Sequence, residues 1–490
     1  MESLWQKTCT TTARPPLYGD AETEIAVVGG GMAGILTALY LQERGRRVLV
    51  LEAEQVGAGQ TAHTTAKLTS QHGAIYAELI ERFGREKAQM YANANQRAVG
   101  AYRKLIEKYH ISCDFEETDA ILYTHAHEDA LRREAEAAAS LGLPASFTTH
   151  LALPLRISGA VRFTGQAQFH PLKLLYPLAD LLTVYERTPV ERVEGHCLQT
   201  PRGRVRADKI VFACHYPFVN FPGWYFTRMH QERSYILALE NAALPAGMYY
   251  GYEPYAPSLR SWQGQVLLGG GAHRAGENPT GGRYRSLREA AQILFPDSRE
   301  TAHWSAQDCM TASGVPYIGR FSRKSEDFFV ATGFGKWGMS SAMAAAELLT
   351  ALICDGGHPD AAIFDPTALE QQRAGKVLSE GAHAVRGLAH RVLHGALPLP
   401  EELPVGHGGP ALVDGRQMGV YRASETEYYA VELACPHLGC RLEWNPDEKS
   451  WDCPCHGSRF DYRGNRLSAP AQTPLAGCHL PEHPAQRDTK

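Results

Sequence analysis

A glycine-rich turn near the N-terminus restricts the possible folds of this chain more than any other segment. Residues 29–34 read GGGMAG, which is the spacing G-x-G-x-x-G. An apolar run at 25–28 precedes the turn, a helical pattern at 33–43 follows it, and a second apolar run at 48–51 ends at Glu52. This order of elements is that of a βαβ unit that binds a dinucleotide.

Each residue of this unit has a physical role in binding. Gly29 permits the tight turn, Gly31 lets the backbone approach a pyrophosphate, and Gly34 lets the helix pack closely on the strand. Ala33 of the same motif is also a predicted FAD contact. Glu52 can accept hydrogen bonds from ribose hydroxyls. The alternative is a turn without function, with Glu52 as a solvated carboxylate. The fingerprint alone does not distinguish FAD from NAD.

A second glycine-rich element, ATGFGKWGM at 331–339, again has the order strand, turn, helix, and its helix N-terminus suits a flavin's polar edge or a pyrophosphate. With both motifs, residues 24–353 resemble the FAD-dependent oxidoreductases of the D-amino-acid oxidase and glycine or sarcosine oxidase type. The resemblance implies that Gly333, Gly335, Gly338 and Met339 contact FAD.

Three further segments support this resemblance. QFHP at 168–171 precedes a helix, Val190 in TPV lies where the family's backbone touches adenine, and Ala213 ends the strand IVFA before the flavin.

The segment GQTAHTTAK at 59–67 falls where the family brings small and hydroxyl residues against FAD. By position, Thr61 and Thr65 contact the cofactor, and Lys67 is a catalytic candidate, as an electrostatic partner or proton carrier at the isoalloxazine. The alternative is that Lys67 is a phosphate contact or a surface lysine.

The resemblance also implies oxidation of an amine-bearing carbon, often with a substrate carboxylate held by arginine. Arg260 and His273 lie in the pocket-forming region, but a structural role is the alternative for both, and the sequence does not select between them.

A second cofactor is indicated near the C-terminus. Cys435 and His437 give C-x-H, fifteen residues intervene, and Cys453 and His456 give C-x-x-H. Two thiolates and two imidazoles are the ligands of a Rieske [2Fe–2S] centre, with zinc as the alternative.

The complete segments CPHLGC at 435–440 and CPCHGS at 453–458 resemble the Rieske boxes of cytochrome bc₁ and b₆f complexes. The resemblance implies a disulfide between Cys440 and Cys455 and a hydrogen bond from Ser458 to a cluster sulfide. It also identifies APA at 469–471 as the proline loop. Phe460 replaces the usual tyrosine, so we expect a potential below the respiratory type, within the span of about −150 to +300 mV.

These motifs give a domain organisation. We predict an FAD-dependent oxidoreductase at 20–365, with an α/β Rossmann-type FAD-binding domain in parts at about 20–75, 160–230 and 305–365. An α+β substrate domain lies between them, with a helical layer from 74 to 140. A helical segment and linker occupy 366–405, and a small all-β Rieske domain occupies 406–490.

The remaining features of the sequence bear on the binding partners of the protein and on its location in the cell. The net charge is −4 from 49 basic and 53 acidic residues, which are interspersed and give no footprint for nucleic acid. The start of the chain lacks a secretory pattern, no stretch predicts a membrane span, and six cysteines are scattered singly, so we expect a cytoplasmic protein.

The function we expect is oxidation of an amine or amino-acid-like molecule at FAD, with single electrons passing through the Rieske centre to an unidentified acceptor. A dehydrogenase is favoured over an oxidase, because a flavin that reduced only oxygen would not need a tethered one-electron relay. The alternatives are a reductase running in the opposite direction and a non-catalytic redox sensor. A ring-hydroxylating oxygenase is rejected, because the clamp cysteines are present and His383, His390 and His394 fit no iron triad.

Overall fold

The structure is a computed structural model that describes residues 2–368 and 398–480, with side chains described through residue 477. His383, His390 and His394, and most of the predicted helical segment that carries them, lie outside the described residues. The chain forms two compact units. The first comprises Met1–Gly223, Ser234–Gly271 and Ser286–Gln372, and the second comprises Trp224–Arg233, Ala272–Arg285 and Arg373–Lys490.

The first unit contains an eight-stranded sheet. Its strands are β1 (Ala21–Val28), β2 (Val48–Leu51), β7 (Thr183–Tyr185), β8 (Arg192–Glu194), β9 (Cys197–Thr200), β10 (Gly203–Phe212), β16 (Tyr317–Ser322) and β17 (Ser325–Thr332). The central strands β1, β2, β10 and β17 are parallel, with Val28 opposite both Leu51 and Phe212. Their carboxyl ends therefore share one edge, where ligands of such sheets bind.

Within the described residues, the α-helices are α1 (Leu4–Thr8), α2 (Met32–Glu43), α3 (Gln60–His63), α4 (Tyr76–Lys108), α5 (Glu128–Ser140), α6 (Pro171–Ala179), α7 (Arg283–Leu294) and α8 (Gly338–Asp355). Helix α2 is apolar on nearly every side and is buried over most of its length, as is α8, which packs beside it. No helix of the described ranges is long and apolar enough to cross a membrane.

A second sheet has nine strands. They are β3 (Lys67–Leu68), β4 (Glu116–Thr124), β5 (Ala145–Thr148), β6 (Gly159–Gln168), β11 (Met229–Glu240), β12 (Met248–Gly251), β13 (Ser258–Trp262), β14 (Gln265–Arg274) and β15 (Arg299–Thr311). The prediction of a continuous helical layer from 74 to 140 is wrong, because the chain forms the strand β4 within this range. The run AILYT at the end of β4 is apolar and β-prone, and it pairs with β6 and β12 in the interior of the sheet.

The second unit contains two four-stranded antiparallel sheets. One consists of β18 (Gly408–Val413), β19 (Arg416–Arg422), β20 (Tyr428–Val431) and β25 (Gly477–Leu480), and the other of β21 (Glu443–Asn445), β22 (Ser450–Asp452), β23 (Arg459–Asp461) and β24 (Arg466–Ser468). A core that includes Trp444, Trp451 and Phe460 also contains the buried cysteines of this region.

Candidate cofactor sites

The glycine turn between β1 and α2 has the close packing that a dinucleotide site requires. A Cβ atom on Gly34 would lie 1.9 Å from the carbonyl oxygen of Gly29, and one on Gly29, whose φ is +114°, would lie 2.5 Å from the carbonyl oxygen of Ala213. Neither position tolerates a side chain. Gly31 caps α2 without a side chain, so the positive helix end is open to an anionic group.

Two side chains fix this turn. The Glu52 carboxylate accepts from the Gly30 N–H at 2.6 Å and the Glu54 N–H at 2.9 Å, and burial raises the pKa of this carboxyl group. Thr61 Oγ1 accepts from the Met32 N–H at 3.0 Å in the first turn of α2. Thr61 and Glu52 therefore both contact the backbone of the glycine turn and the start of α2, and their contacts to FAD stay predictions.

The other residues predicted to contact FAD lie in the same unit. Ala33 and Val190 are buried, and the Ala213 N–H donates to the Val28 carbonyl at 2.9 Å beside the turn. Gly333 and Gly335 have φ values of +73° and +55° before α8, which starts at Gly338 and Met339.

The segment from His63 to Ala66 is held by its backbone carbonyl groups. Three side chains that are at most 1% exposed, and that come from distant parts of the chain, donate to four consecutive carbonyls. The bonds run from Trp304 Nε1 to His63 O (2.9 Å), from Trp5 Nε1 to Thr64 O (2.6 Å), and from Arg260 Nη1 to Thr65 O (2.6 Å) and Ala66 O (2.9 Å). The segment is therefore rigidly placed, including Ala66, which has a φ of +52°.

This network includes the N-terminal segment of the chain. Trp5 lies on α1, and Thr8 of the same helix bonds to His170 at 3.0 Å. It also gives Arg260 a structural place, because Nη1 of its guanidinium donates to backbone carbonyls.

Lys67 is buried next to this segment. Its ammonium donates to Tyr249 O at 2.7 Å and to Ser258 Oγ. Burial, and secondarily the positive charge of Arg260, lower the pKa of Lys67 to about 7. Lys67 can therefore change its protonation state near neutral pH, which an exposed lysine cannot do.

A stack of two rings lies at the second glycine element, with His72 buried and Trp337 half-buried. His72 lies parallel to Trp337, with ring centroids 5.0 Å apart, and bonds to Tyr91 Oη at 2.6 Å and Ser340 Oγ at 2.8 Å. Burial lowers the pKa of His72 to about 3, so this imidazole is neutral.

His273 belongs to the second unit and bonds the carbonyl of Arg274 at 2.7 Å.

In the second unit, the two cysteine-containing loops have the same backbone hydrogen bonds. The Cys435 N–H donates to Cys440 O at 2.9 Å, and the Gly439 N–H donates to Cys435 O at 2.8 Å. The equivalent bonds in the other loop run from Cys453 to Ser458 O at 2.8 Å and from Gly457 to Cys453 O at 2.9 Å. Each loop thus presents its first cysteine in the same way.

The four predicted ligands converge between these loops. The Cys453 thiol donates to the Cys435 sulfur, and this bond holds the pKa of Cys435 below that of an ordinary thiol. The imidazole rings of His437 and His456 lie 4.9 Å apart, and their Nδ1 atoms are buried. Two adjacent sulfurs and two adjacent imidazoles fit the two irons of a Rieske centre.

The expected disulfide between Cys440 and Cys455 is present. The sulfurs of both, with that of Cys453, lie within 4.8 Å of one another, so the disulfide adjoins the ligands. A sulfur in a disulfide is no thiolate ligand, which leaves the four predicted ligands to the cluster. The Ser458 hydroxyl bonds the Cys435 sulfur and accepts from the Ala471 N–H at 3.0 Å.

Comparison with known proteins supports both predicted cofactors. The family model described as FAD dependent oxidoreductase matches residues 24–352, and the model described as Rieske [2Fe-2S] domain matches residues 397–482. A protein of Bacillus subtilis (strain 168) described as a Rieske 2Fe-2S iron-sulfur protein, YhfW, is 35% identical over 97% of both chains.

Two solved structures are similar in fold. L-proline dehydrogenase from P. horikoshii has a TM-score of 0.60 at 20% identity, covering 71% of this chain and 98% of its own. Glycine oxidase from Geobacillus kaustophilus has a TM-score of 0.57 at 22% identity, covering 71% and 99%. The predicted fold class and the predicted cofactors, FAD and a [2Fe–2S] cluster, are confirmed.

Proposed function

Because the chain belongs to the FAD-dependent oxidoreductase family and carries a Rieske [2Fe–2S] domain, we propose that it oxidises an amine or amino-acid-like small molecule and delivers single electrons to an acceptor. FAD supplies two-electron oxidation when bound, and the [2Fe–2S] centre supplies one-electron exchange. The observation that carries the proposal is the presence of both sites in one chain. An enzyme that passed electrons only to oxygen would not need the second site.

The proposed substrate class rests on the structural neighbours. Both are named for amino-acid substrates, L-proline and glycine. An amine substrate must lose a proton as its carbon–nitrogen bond is oxidised, so the site needs a group that holds or moves a proton near neutral pH.

We propose Lys67 for this role. Its pKa of about 7 lets the neutral amine accept a proton at Nζ, whereas a lysine of ordinary pKa stays charged. Tyr249 O and Ser258 Oγ fix the position of Nζ. The Trp5, Trp304 and Arg260 bonds would keep the adjoining backbone from moving when substrate binds.

The test is anaerobic mixing of the full-length protein with a panel of secondary amines and amino acids. The expected result is bleaching of the flavin absorption by at least one compound, followed by the low-g EPR signal of a reduced Rieske centre. A Cys435→Ser variant serves as control, because it should still bleach but give no Rieske signal.

The other outcomes identify the alternatives. Reduction of an added substrate by a pre-reduced protein, without bleaching by any amine, would indicate a reductase. Absence of turnover with every donor and acceptor would indicate a redox sensor.

A cytoplasmic location stays a prediction.

A further inference from the structure

The unit that contains the Rieske fold includes two segments from another part of the sequence. Trp224–Arg233 and Ala272–Arg285 belong to this unit, although both fall within the residues matched by the oxidoreductase family model. They include the first residues of β11 and the last residues of β14. Both segments contact the loop that carries Cys453 and His456.

Gln231 makes the most direct of these contacts. Its side chain is 1% exposed, and its Nε2 donates to the carbonyl of the ligand residue His456 at 2.6 Å and to that of Ala469 at 3.3 Å. A Cβ atom on Gly457 would lie 2.6 Å from the Gln231 Cβ. Gln231 therefore joins the ligand loop to the proline loop and fills the space that Gly457 leaves.

The imidazole of His456 has a partner on the same segment. His456 Nε2 lies 3.1 Å from the carbonyl oxygen of Phe226, and the Phe226 ring meets the imidazole edge-on at 6.0 Å. Such a bond at the second nitrogen fixes the orientation of a metal-binding imidazole. The edge of this ligand is thus covered by the chain's own backbone.

The second segment holds the same loop at a different point. Arg274 Nε donates to Pro454 O at 3.1 Å, and a Cβ atom on Gly276 would lie 2.7 Å from the Pro454 Cα. Asn278 and the backbone N–H groups of Gly282 and Arg283 bond the side chain of Asp447 at 3.0–3.1 Å. The contact is polar and involves several residues of this segment.

We propose that Gln231 is a positioning residue for the [2Fe–2S] centre. Gln231 and Phe226 lie within the residues matched by the oxidoreductase family model, and they supply the outer contacts of the loop that carries His456. These contacts set the geometry and the reduction potential of the cluster. The proposal requires the Rieske centre and does not depend on which substrate the flavin oxidises.

The test uses the full-length protein with Gln231→Met and Gln231→Glu. Methionine keeps most of the volume and removes both hydrogen bonds, whereas glutamate keeps the shape and places an acceptor where the donor was. Donors near the cluster stabilise the extra electron of the reduced state. We therefore expect shifted EPR g-values and a lowered midpoint potential for Gln231→Met, and a further lowering for Gln231→Glu.

The matched control is Gln265→Met, in the first unit, where the glutamine bonds Thr301 at 2.7 Å. It should leave g-values, potential and iron content unchanged. Loss of iron from Gln231→Met with FAD retained would also support the proposal. Wild-type g-values and potential in both Gln231 variants would overturn it, as would loss of both cofactors, which would mark Gln231 as a residue needed for folding.

Discussion

Replacing Arg260 by methionine removes the only charged side chain among the three that hold the 63–66 segment. Its guanidinium is 1% exposed and donates to Thr65 O at 2.6 Å and to Ala66 O at 2.9 Å. Methionine fills much of the space and offers no donor. The substitution therefore tests whether these bonds hold the segment.

The expected loss in the free energy of unfolding follows from these two hydrogen bonds. Hydrogen bonds to a charged group contribute about 1.5–3 kcal/mol each, so their loss costs roughly 3–6 kcal/mol. Removing a buried charge offsets part of this cost, because desolvation already lowers the pKa of Arg260 to about 9. We expect a net loss of about 2–4 kcal/mol in the free energy of unfolding.

The pKa of Lys67 gives a second, independent readout. The positive charge of Arg260 disfavours the charged form of Lys67, so its removal should raise the pKa of Lys67 above about 7. Burial remains the larger cause, so the value should stay below 10.5.

The free energy of unfolding is measured by urea titration, with the fluorescence of released FAD as the signal and Arg206→Met as the control. Arg206 is exposed on β10, and its replacement should change the free energy by less than about 0.5 kcal/mol. If Arg260→Met were as stable as this control and bound FAD as tightly, the proposed holding role of Arg260 would be wrong.

Three further predictions concern single positions. In the wild type, the rate of amine-driven flavin bleaching should rise with pH in a step near pH 7, as Lys67 loses its proton. Lys67→Met should abolish this step. Gly34→Ala should weaken FAD binding at least tenfold, which is about 1.4 kcal/mol, because its Cβ would overlap Gly29 O; the flavin absorbance per protein measures this. Phe460→Tyr should raise the Rieske midpoint potential in a redox titration, and an unchanged potential would remove Phe460 as the cause of a low value.

The local motifs predicted the parts of the molecule in which neighbouring residues make the structure. The GGGMAG turn specifies its own geometry, because Gly34 must pack on Gly29. The two cysteine loops likewise contain every residue of their shared hydrogen-bond pattern. The strand β4 was missed because it follows a charged stretch and its apolar run is short.

The contacts that join distant segments could not be predicted. Trp5 reaches Thr64 across 59 residues, and Gln231 reaches His456 across 225. A tryptophan in a short helix and a glutamine in a strand have no local pattern that indicates a partner. Only the packing of the folded chain brings them to carbonyl groups beside the cofactor sites.

The most informative single experiment is stepwise photoreduction of the flavin in anaerobic full-length protein, with absorption and EPR recorded at several protein concentrations. If the chain is an internal relay, the flavin bands should fall as the low-g Rieske signal rises, at a rate independent of protein concentration. Zinc in place of iron with no EPR signal, or a rate proportional to protein concentration, would contradict an internal relay.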